Sequence, residues 1–553
     1  MSDSHAEADK MANNPLIDSD EVHGKAGNIG LAESSNLQTN EFREATKLFE
    51  EWFRQESGAC SGEICLRDAR DKGAGRAVFS TADIEEDETL FEVPRSMILT
   101  VQNSILYRKI PEVLDKLEPW LALTVAVMYE HQNVRRGPTF HAESYWKPYF
   151  PMLPLFSKQF QPLMYWPESS LIELQASPVL ERIGMQQVED IFWSVVVPIL
   201  KNLKDDSVFE FPSQGPDSEA VFLERFIKEN YLTLYHGVAS SIMAYAFDIE
   251  KDEEDREKDE DGFMSEEEDA VLPKGMVPMA DMLNADADLN NARLFYESKA
   301  LCMRAIKPIK KGEQIFNDYG PLPRSELLRR YGYLTPRYAK YDVAELSQEL
   351  LTNIAINDYE ITKKASTEKL QFLESMDQME DGYNVVRFTN ADTSNDSINS
   401  ENSREDEERM PTSPFPRELI TFVTLLLLPE PSFRDYKRRS KLPKGGKSNE
   451  TLAPEILMLL VTACEQQLKK YATALEEDLR LLDEQEQIIE KQISVLKKME
   501  HGTDECEGLE AYDEEENGLL GLIRKRQAME VRIGEKEVLT EAMQFARQWS
   551  KER

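Results

Sequence analysis

Little in this sequence is apolar for long. The densest stretch, Leu419–Leu428, is broken by Thr421 and Thr424 and closed by Pro429. That falls well short of the ~20 residues that cross a bilayer, so a soluble protein with no membrane partner is expected. The N-terminus reads MSDSHAEADK; it has neither a basic flank nor an apolar stretch, and no signal peptide is visible there. Cysteine is scarce. Cys60, Cys65, Cys302, Cys464 and Cys506 form an odd, scattered set that suits a reducing compartment and offers no zinc-ligand spacing. The six histidines include no HExxH pair, and GxSxG is missing, so metal catalysis has no visible ligands and nothing favours a serine triad. Positive charge is short as well: the 553 residues carry 65 Lys and Arg against 103 Asp and Glu, a formal charge of −38. A field of that sign opposes nucleic acid, whose binding needs clustered cations, and a basic protein partner is expected instead.

The length allows roughly two to four domains, and 41% apolar residues is enough for at least one large core. Residues 1–40 follow neither the strand nor the helix period and read as a disordered tail. Two internal segments share that character. Residues 250–269 hold 13 acidic and 3 basic residues, and about 377–412 is rich in Asp, Glu, Asn and Ser. Both are expected as solvated loops, the second disordered, with attraction of a cationic protein as the other use of their charge. AVFST (77–81), TLFEV (89–93), ARLFYE (292–297) and LCMRAI (301–306) read as short strands between Gly, Pro or charged turns. Helical patterns fill about 105–235, including Trp120–Glu130, Val188–Leu203 and Ser218–Tyr235. From about Val343 the strand signals fade. Leu468, Leu475, Leu482, Ile489 and Leu496 then repeat every seven residues, but Asp478 and Gln485 fall in the adjoining seam. That favours packing against an amphipathic helix over 518–549 rather than a coiled-coil dimer, and a monomer is expected.

Two near-matches to ligand motifs fail on one residue each. Asp286, Asp288, Asn290 and Glu297 stand at positions one, three, five and twelve of a calcium loop, but position six is Asn291 where the sharp turn needs Gly, and a strand follows. Gly445 to Ser448 reads GGKS, yet Lys441 stands where a phosphate loop needs its first glycine.

What remains is an ordered constellation. Lys72-Gly73-Ala74-Gly75-Arg76-Ala77-Val78 is a glycine turn leading into a strand, followed by Leu90-Phe91-Glu92-Val93-Pro94. Much later comes Val277-Pro278-Met279-Ala280-Asp281-Met282-Leu283-Asn284-Ala285-Asp286, with Asn291-Ala292 behind it. Last is Ile309-Lys310-Lys311-Gly312-Glu313-Gln314-Ile315-Phe316-Asn317-Asp318-Tyr319-Gly320, with Tyr331-Gly332-Tyr333. In this order the segments resemble the SET-domain protein-lysine methyltransferases, in the branch similar to Rubisco large-subunit methyltransferase. The nearest likeness is to the fungal ribosomal-protein and animal SET-domain-containing protein six group. Trp146-Lys147-Pro148-Tyr149-Phe150 with Leu153-Pro154 resembles a signature of the inserted segment. The likeness spans about 45–340 by sequence, and 341–553 in architecture only.

The resemblance implies an α+β fold. Residues 41–340 would form a SET domain of small β-sheets with a helical insertion at 105–235 and an acidic loop at 250–269. Residues 341–553 would form a helical substrate-binding domain. It implies S-adenosyl-L-methionine as cofactor and a basic protein as substrate: a large-subunit ribosomal protein, or a histone, with monomethylation as one outcome. Residence would be in the nucleus, with the cytoplasm as a second location. By position within the motifs, Tyr319 is the catalytic residue. Ala74, Gly75, Arg76, Trp120, Asn284, Ala285 and Tyr319 would bind the cofactor. Tyr245, Asp281 and Tyr333 would line the lysine channel, with a buried structural role open for Asp281 and Tyr333 and a core role open for Trp120. Ala285 departs from the family pattern, which places His after Asn284; a weakened or inactive enzyme, or a non-catalytic module that binds a basic protein, is the rival reading.

Overall fold

The computed structural model describes residues 35–70, 75–136, 144–155, 160–203, 208–211, 219–249, 272–388, 413–443, 452–500 and 518–551. The expected tail up to residue 34, the acidic loop 250–269, residues 389–412 and the GGKS segment lie outside them. The chain divides into two compact units. One is drawn from Met1–Phe160 with Gln187–Tyr319, the other from Gln161–Gln186 with Gly320–Arg553. The boundary therefore falls at Tyr319 rather than at residue 340. Residues 161–186, expected within the helical insertion, belong to the second unit because their polar groups find partners there. Ser177 donates its hydroxyl to Glu535 at 2.6 Å, the Ala472 amide donates to Gln175 at 3.0 Å, and the Glu173 carbonyl accepts from Arg532.

In the first unit, α1 (Ser35–Glu56) begins inside the segment expected to be disordered. Phe49 and Phe53, one turn apart, are fully buried and give that helix its inner face. The strands follow as β1 (Ala59–Cys60), β2 (Ile64–Asp68), β3 (Arg76–Ser80), β4 (Thr89–Pro94) and β5 (Leu99–Thr100). After α2 (Pro119–Arg136) and α3 (Thr233–Tyr245) come β6 (Ala246–Asp248), β7 (Lys274–Met276), β8 (Asn284–Ala285), β9 (Ala292–Tyr296), β10 (Ala300–Ala305) and β11 (Gln314–Asn317). They form three sheets, ordered β1-β4-β10-β9, β2-β3-β11-β8 and β5-β7-β6. The four strands read from the sequence match β3, β4, β9 and β10 to within a residue at each end.

Every residue from Leu121 to Glu130 is buried, which makes α2 a core helix rather than a half-exposed one. The carboxylate that ends this buried run is satisfied: Glu130 accepts from the Ser144 hydroxyl at 2.7 Å and the Ile105 amide at 2.6 Å. The helix read over Val188–Leu203 is interrupted by a wide π turn at Phe192–Val196 before Val197–Asn202. Pro198 lies just beyond that turn and has no N–H to give the regular ladder.

The second unit contains α4 (Arg324–Tyr331), β12 (Val343–Ser347), α5 (Gln348–Asp358), β13 (Gly382–Val386), α6 (Arg417–Leu427), α7 (Pro454–Leu468), α8 (Leu475–Glu500) and α9 (Leu519–Lys551). The antiparallel β12–β13 ladder corrects the expectation that strands end near Val343 and that 377–412 is all loop. Tyr383 and Val385 alternate inward and are buried, a signal too short to stand out among acidic neighbours. The seam between α8 and α9 explains its polar residues: Asp478 is fully buried and accepts from Arg532 at 2.9 Å and from Lys536, while Gln485 donates to the Leu522 carbonyl at 3.0 Å. Among the described residues no helix is long and apolar enough to cross a membrane.

Candidate active site

Strand β11 collects the separated motifs. It runs antiparallel to β3, pairing Gln314 with Phe79 and Ile315 with Val78, and parallel to β8, pairing Phe316 with Asn284 and Asn317 with Ala285. Continuing that register brings Arg76 level with Asn317, which Arg76 and Ala285 flank from opposite sides of β11. Tyr319 lies two residues further on, and its hydroxyl donates to the Leu283 carbonyl at 3.3 Å. The stretches near residues 75, 284 and 319 therefore meet at one end of one sheet.

The failed calcium loop is part of this construction. Asn291 is buried; its Oδ1 accepts from the Phe316 amide at 2.8 Å and its Nδ2 donates to the Gln314 carbonyl at 3.0 Å, which fastens the chain ahead of β9 to β11. Asp286 spends Oδ1 on the amides of Asp288 and Leu289, both at 2.9 Å. The spacing serves a turn and a strand clamp, and among the described residues no cluster could hold a metal ion.

Around this sheet end, buried polar groups are left without partners among the described residues. Asn284 Nδ2 is a buried donor with no acceptor there. Ala285 is buried, and a Cβ added at Gly75 would meet nothing within 4 Å. Ala74 lies outside the described residues. The side chain of Arg76 turns to α1: its guanidinium donates to Thr46 Oγ1 at 2.9 Å and the Phe42 carbonyl at 3.2 Å and lies 3.8 Å from the Phe42 ring centre. Burial lowers its pKa to about 10. Whatever Arg76 offers the sheet end is therefore backbone.

Asp281 sits in a short 3-10 turn, Ala280–Met282, that follows Met279 at φ 75°. The residue is 6% exposed; Oδ2 accepts from the Tyr149 hydroxyl and Oδ1 has no hydrogen-bond partner among the described residues. Burial pushes this carboxyl up to about 8, against the Tyr149 bond and the backbone amides of Asp281 and Met279 that favour its charged form. Tyr149 is fully buried, and burial, then the Asp281 charge, raises its phenol well above the usual range. Tyr245, at the end of α3, adds to that rise and packs its ring 5.9 Å from Phe160. Trp120 is half-buried at the start of α2, edge-on to Tyr235 at 6.5 Å. Tyr333 belongs to the second unit, beyond the left-handed Gly332 that closes α4, with its ring 6.4 Å from that of Tyr331. Sequence reading gave no role to Tyr149 or to Asn291, although both stand inside quoted motifs; neither pattern shows which distant group a polar side chain will reach.

A SET domain matches over residues 75–320 and a Rubisco LSMT substrate-binding domain over 362–539. Ribosomal lysine N-methyltransferase 4 of Saccharomyces cerevisiae is 33% identical over 357 residues, 63% of this chain and 66% of its own. N-lysine methyltransferase setd6 of Xenopus laevis is 32% identical over 260 residues, 46% of this chain and 50% of its own. The chain thus spans just under two thirds of the yeast relative and half of the frog one. Rubisco LSMT bound to AdoMet superposes with a TM-score of 0.57 at 18% identity, over 92% of both chains, and the LSMT SET domain bound to lysine and AdoHcy does so at 0.54, also at 18% identity and over 92% of both. These likenesses show the SET fold. The chain thus carries a SET domain followed by a Rubisco LSMT substrate-binding domain.

Proposed function

We propose that this chain is an S-adenosylmethionine-dependent protein-lysine N-methyltransferase whose substrate is a basic protein of the large ribosomal subunit. The observation that carries the proposal is the meeting of Gly75, Asn284 and Tyr319 at one sheet end, beside a buried Asn284 amide that lacks an acceptor. The residues fit the cofactor: the orphaned donor suits its nitrogen and carboxylate acceptors, and the open space at Gly75 admits a close backbone approach. When bound, it supplies an electrophilic sulfonium methyl.

The chain's own task is then to present a neutral amine in line with that methyl. A free lysine has a pKa of about 10.4, so under ~0.1% is neutral at pH 7. Burial disfavours the ammonium, and an aromatic wall such as Tyr245 supplies it. The Asp281 oxygen left unpartnered gives an entering ammonium an acceptor, and Tyr319, held by the Leu283 carbonyl, orients the amine.

Two features support the ribosomal substrate: the printed name of the yeast relative and the charge of −38, which attracts any cationic protein. Nuclear residence belongs to the same reading and is checked with a fluorescent fusion. The decisive assay is radiolabelled methyl transfer to a large-subunit ribosomal-protein extract, with S-adenosylhomocysteine affinity measured by calorimetry. Wild type should transfer, and mass spectrometry should locate the lysine and count the methyl groups. Tyr319→Phe should be roughly 100-fold slower with cofactor affinity kept within two-fold. A wild type that neither transfers nor binds the cofactor would leave a non-catalytic module for basic proteins.

A further inference from the structure

The Trp146-Lys147-Pro148-Tyr149 segment has a fixed shape that the reading above does not use. Trp146 is buried and its indole donates to the Met97 carbonyl at 2.9 Å, while the Tyr149 amide donates back to the Trp146 carbonyl at 2.9 Å. Ser144, just ahead, is tied to Glu130 of α2. From this anchored turn the Tyr149 ring, packed 6.1 Å from Phe49 of α1, reaches Asp281. A phenylalanine would fill the same space; what the hydroxyl adds is the bond to Oδ2.

That bond falls where the backbone needs an outside hold. Met279 has φ 75°, in the left-handed region that residues with a Cβ rarely adopt, and the turn Ala280–Met282 follows directly. The next carbonyl, Leu283, is the one that accepts the Tyr319 hydroxyl. With Oδ2 engaged by Tyr149, Oδ1 is the carboxyl oxygen left to meet a substrate.

We infer that Tyr149 is a positioning residue for methyl transfer: it fixes the Asp281 carboxyl and the turn that carries it, and through the Leu283 carbonyl the hydroxyl of Tyr319. The inference rests on reading the site as a methyltransferase. Tyr149 touches neither methyl donor nor amine in this scheme; it acts through two other side chains. The titratable groups that face Asp281 are phenols, Tyr149 from the insertion and, behind it, Tyr245 from the end of α3. Because the Tyr149 bond favours the charged carboxylate, its loss moves the Asp281 titration to higher pH.

The test follows methyl transfer to the ribosomal-protein extract from pH 6 to 9.5, with S-adenosylhomocysteine calorimetry and a thermal melt on each protein. Y149F should lower kcat roughly 10-fold, as a misplaced reacting group does, with cofactor affinity kept within two-fold. The acid limb of its kcat/KM profile should move upward from the wild-type position near pH 8. D281N should remove the Asp281 step and leave only the rise set by the substrate amine, and Y149F should add nothing further in its presence, because both act through one carboxyl. A merely structural Tyr149 would instead give additive losses and an unmoved limb. If Y149F does not fold, a D281N profile that coincides with wild type overturns the inference alone. Wild-type kcat and an unmoved limb in a folded Y149F do the same, leaving the methyltransferase reading intact. A wild type that neither transfers methyl nor binds S-adenosylhomocysteine overturns both.

Discussion

At the scale of single residues, the site is defined by polar groups that fold into burial without a protein partner. A buried donor left unpaired costs about 1–3 kcal/mol, which the free protein carries until a ligand meets it. Asn284 Nδ2 is such a donor. Asn284→Ala removes the penalty and the contact together, so the melting temperature of the free protein should hold or rise while S-adenosylhomocysteine binds roughly 10-fold more weakly, a loss of about 1.4 kcal/mol. Calorimetry beside a thermal melt checks both halves; equal affinity would mean the amide faces something other than the cofactor. Tyr319 and Asn284 were legible in the sequence because they stand inside motifs whose order is specific. Tyr149 stood inside one too, but a pattern gives identity without reach, and its partner Asp281 is 132 residues away. Arg76 shows the converse: the motif pointed at its backbone, and nothing in the sequence showed that its guanidinium would stack on Phe42 of α1.

At the scale of elements, short strands were readable where alternation and turn residues coincide, as in β3, β4, β9 and β10. The β12–β13 ladder was not, since its inward residues sit among charges and its pairing is non-local. The polar seam of α8 was seen, yet its meaning depended on α9, where Arg532 and Lys536 bring their charges to Asp478. Burial pushes the Asp478 carboxyl up, but these cations and Thr473 more than offset it and hold it below the usual range. Glu535, on the same helix, is different. It accepts from Ser177 and Tyr471, but burial dominates and raises it to about 7 from an ordinary value near 4.5. Its folded-state pKa is the higher one, so the stability it contributes is fully present below pH ~4.5 and is lost as pH rises through about 7. Over that window the loss is about 3 kcal/mol. Glu535→Gln cannot ionise, so urea unfolding should show the variant gaining on wild type by that order between pH 5 and pH 8. Parallel curves would mean the carboxylate is better satisfied than its two hydroxyl partners imply.

At the scale of the whole molecule, on the methyltransferase proposal, the excess of negative charge acts on substrate capture rather than on chemistry. Nothing in the sheet end requires a net charge of −38, and a methyl transfer within a buried site is indifferent to distant surface charge. A basic protein approaching from solvent is not: its encounter rate rises in a field of the opposite sign and falls as salt shortens the Debye length from ~14 Å at 50 mM to below 6 Å at 300 mM. Raising salt over that range should therefore lower kcat/KM for a ribosomal protein roughly 10-fold through KM, with kcat nearly constant. S-adenosylhomocysteine affinity should change less than two-fold, because that zwitterionic ligand carries almost no net charge. The sequence also says where to cut the effect, since residues 250–269 alone carry 13 acidic and 3 basic residues. Replacing that run with a Gly-Ser linker of equal length should flatten the salt dependence for the protein substrate while leaving turnover of a short, uncharged lysine peptide as it was. If the replaced protein keeps the full salt slope, capture depends on charge elsewhere in the chain; if wild type shows no slope at all, the acidic composition has no part in choosing the partner.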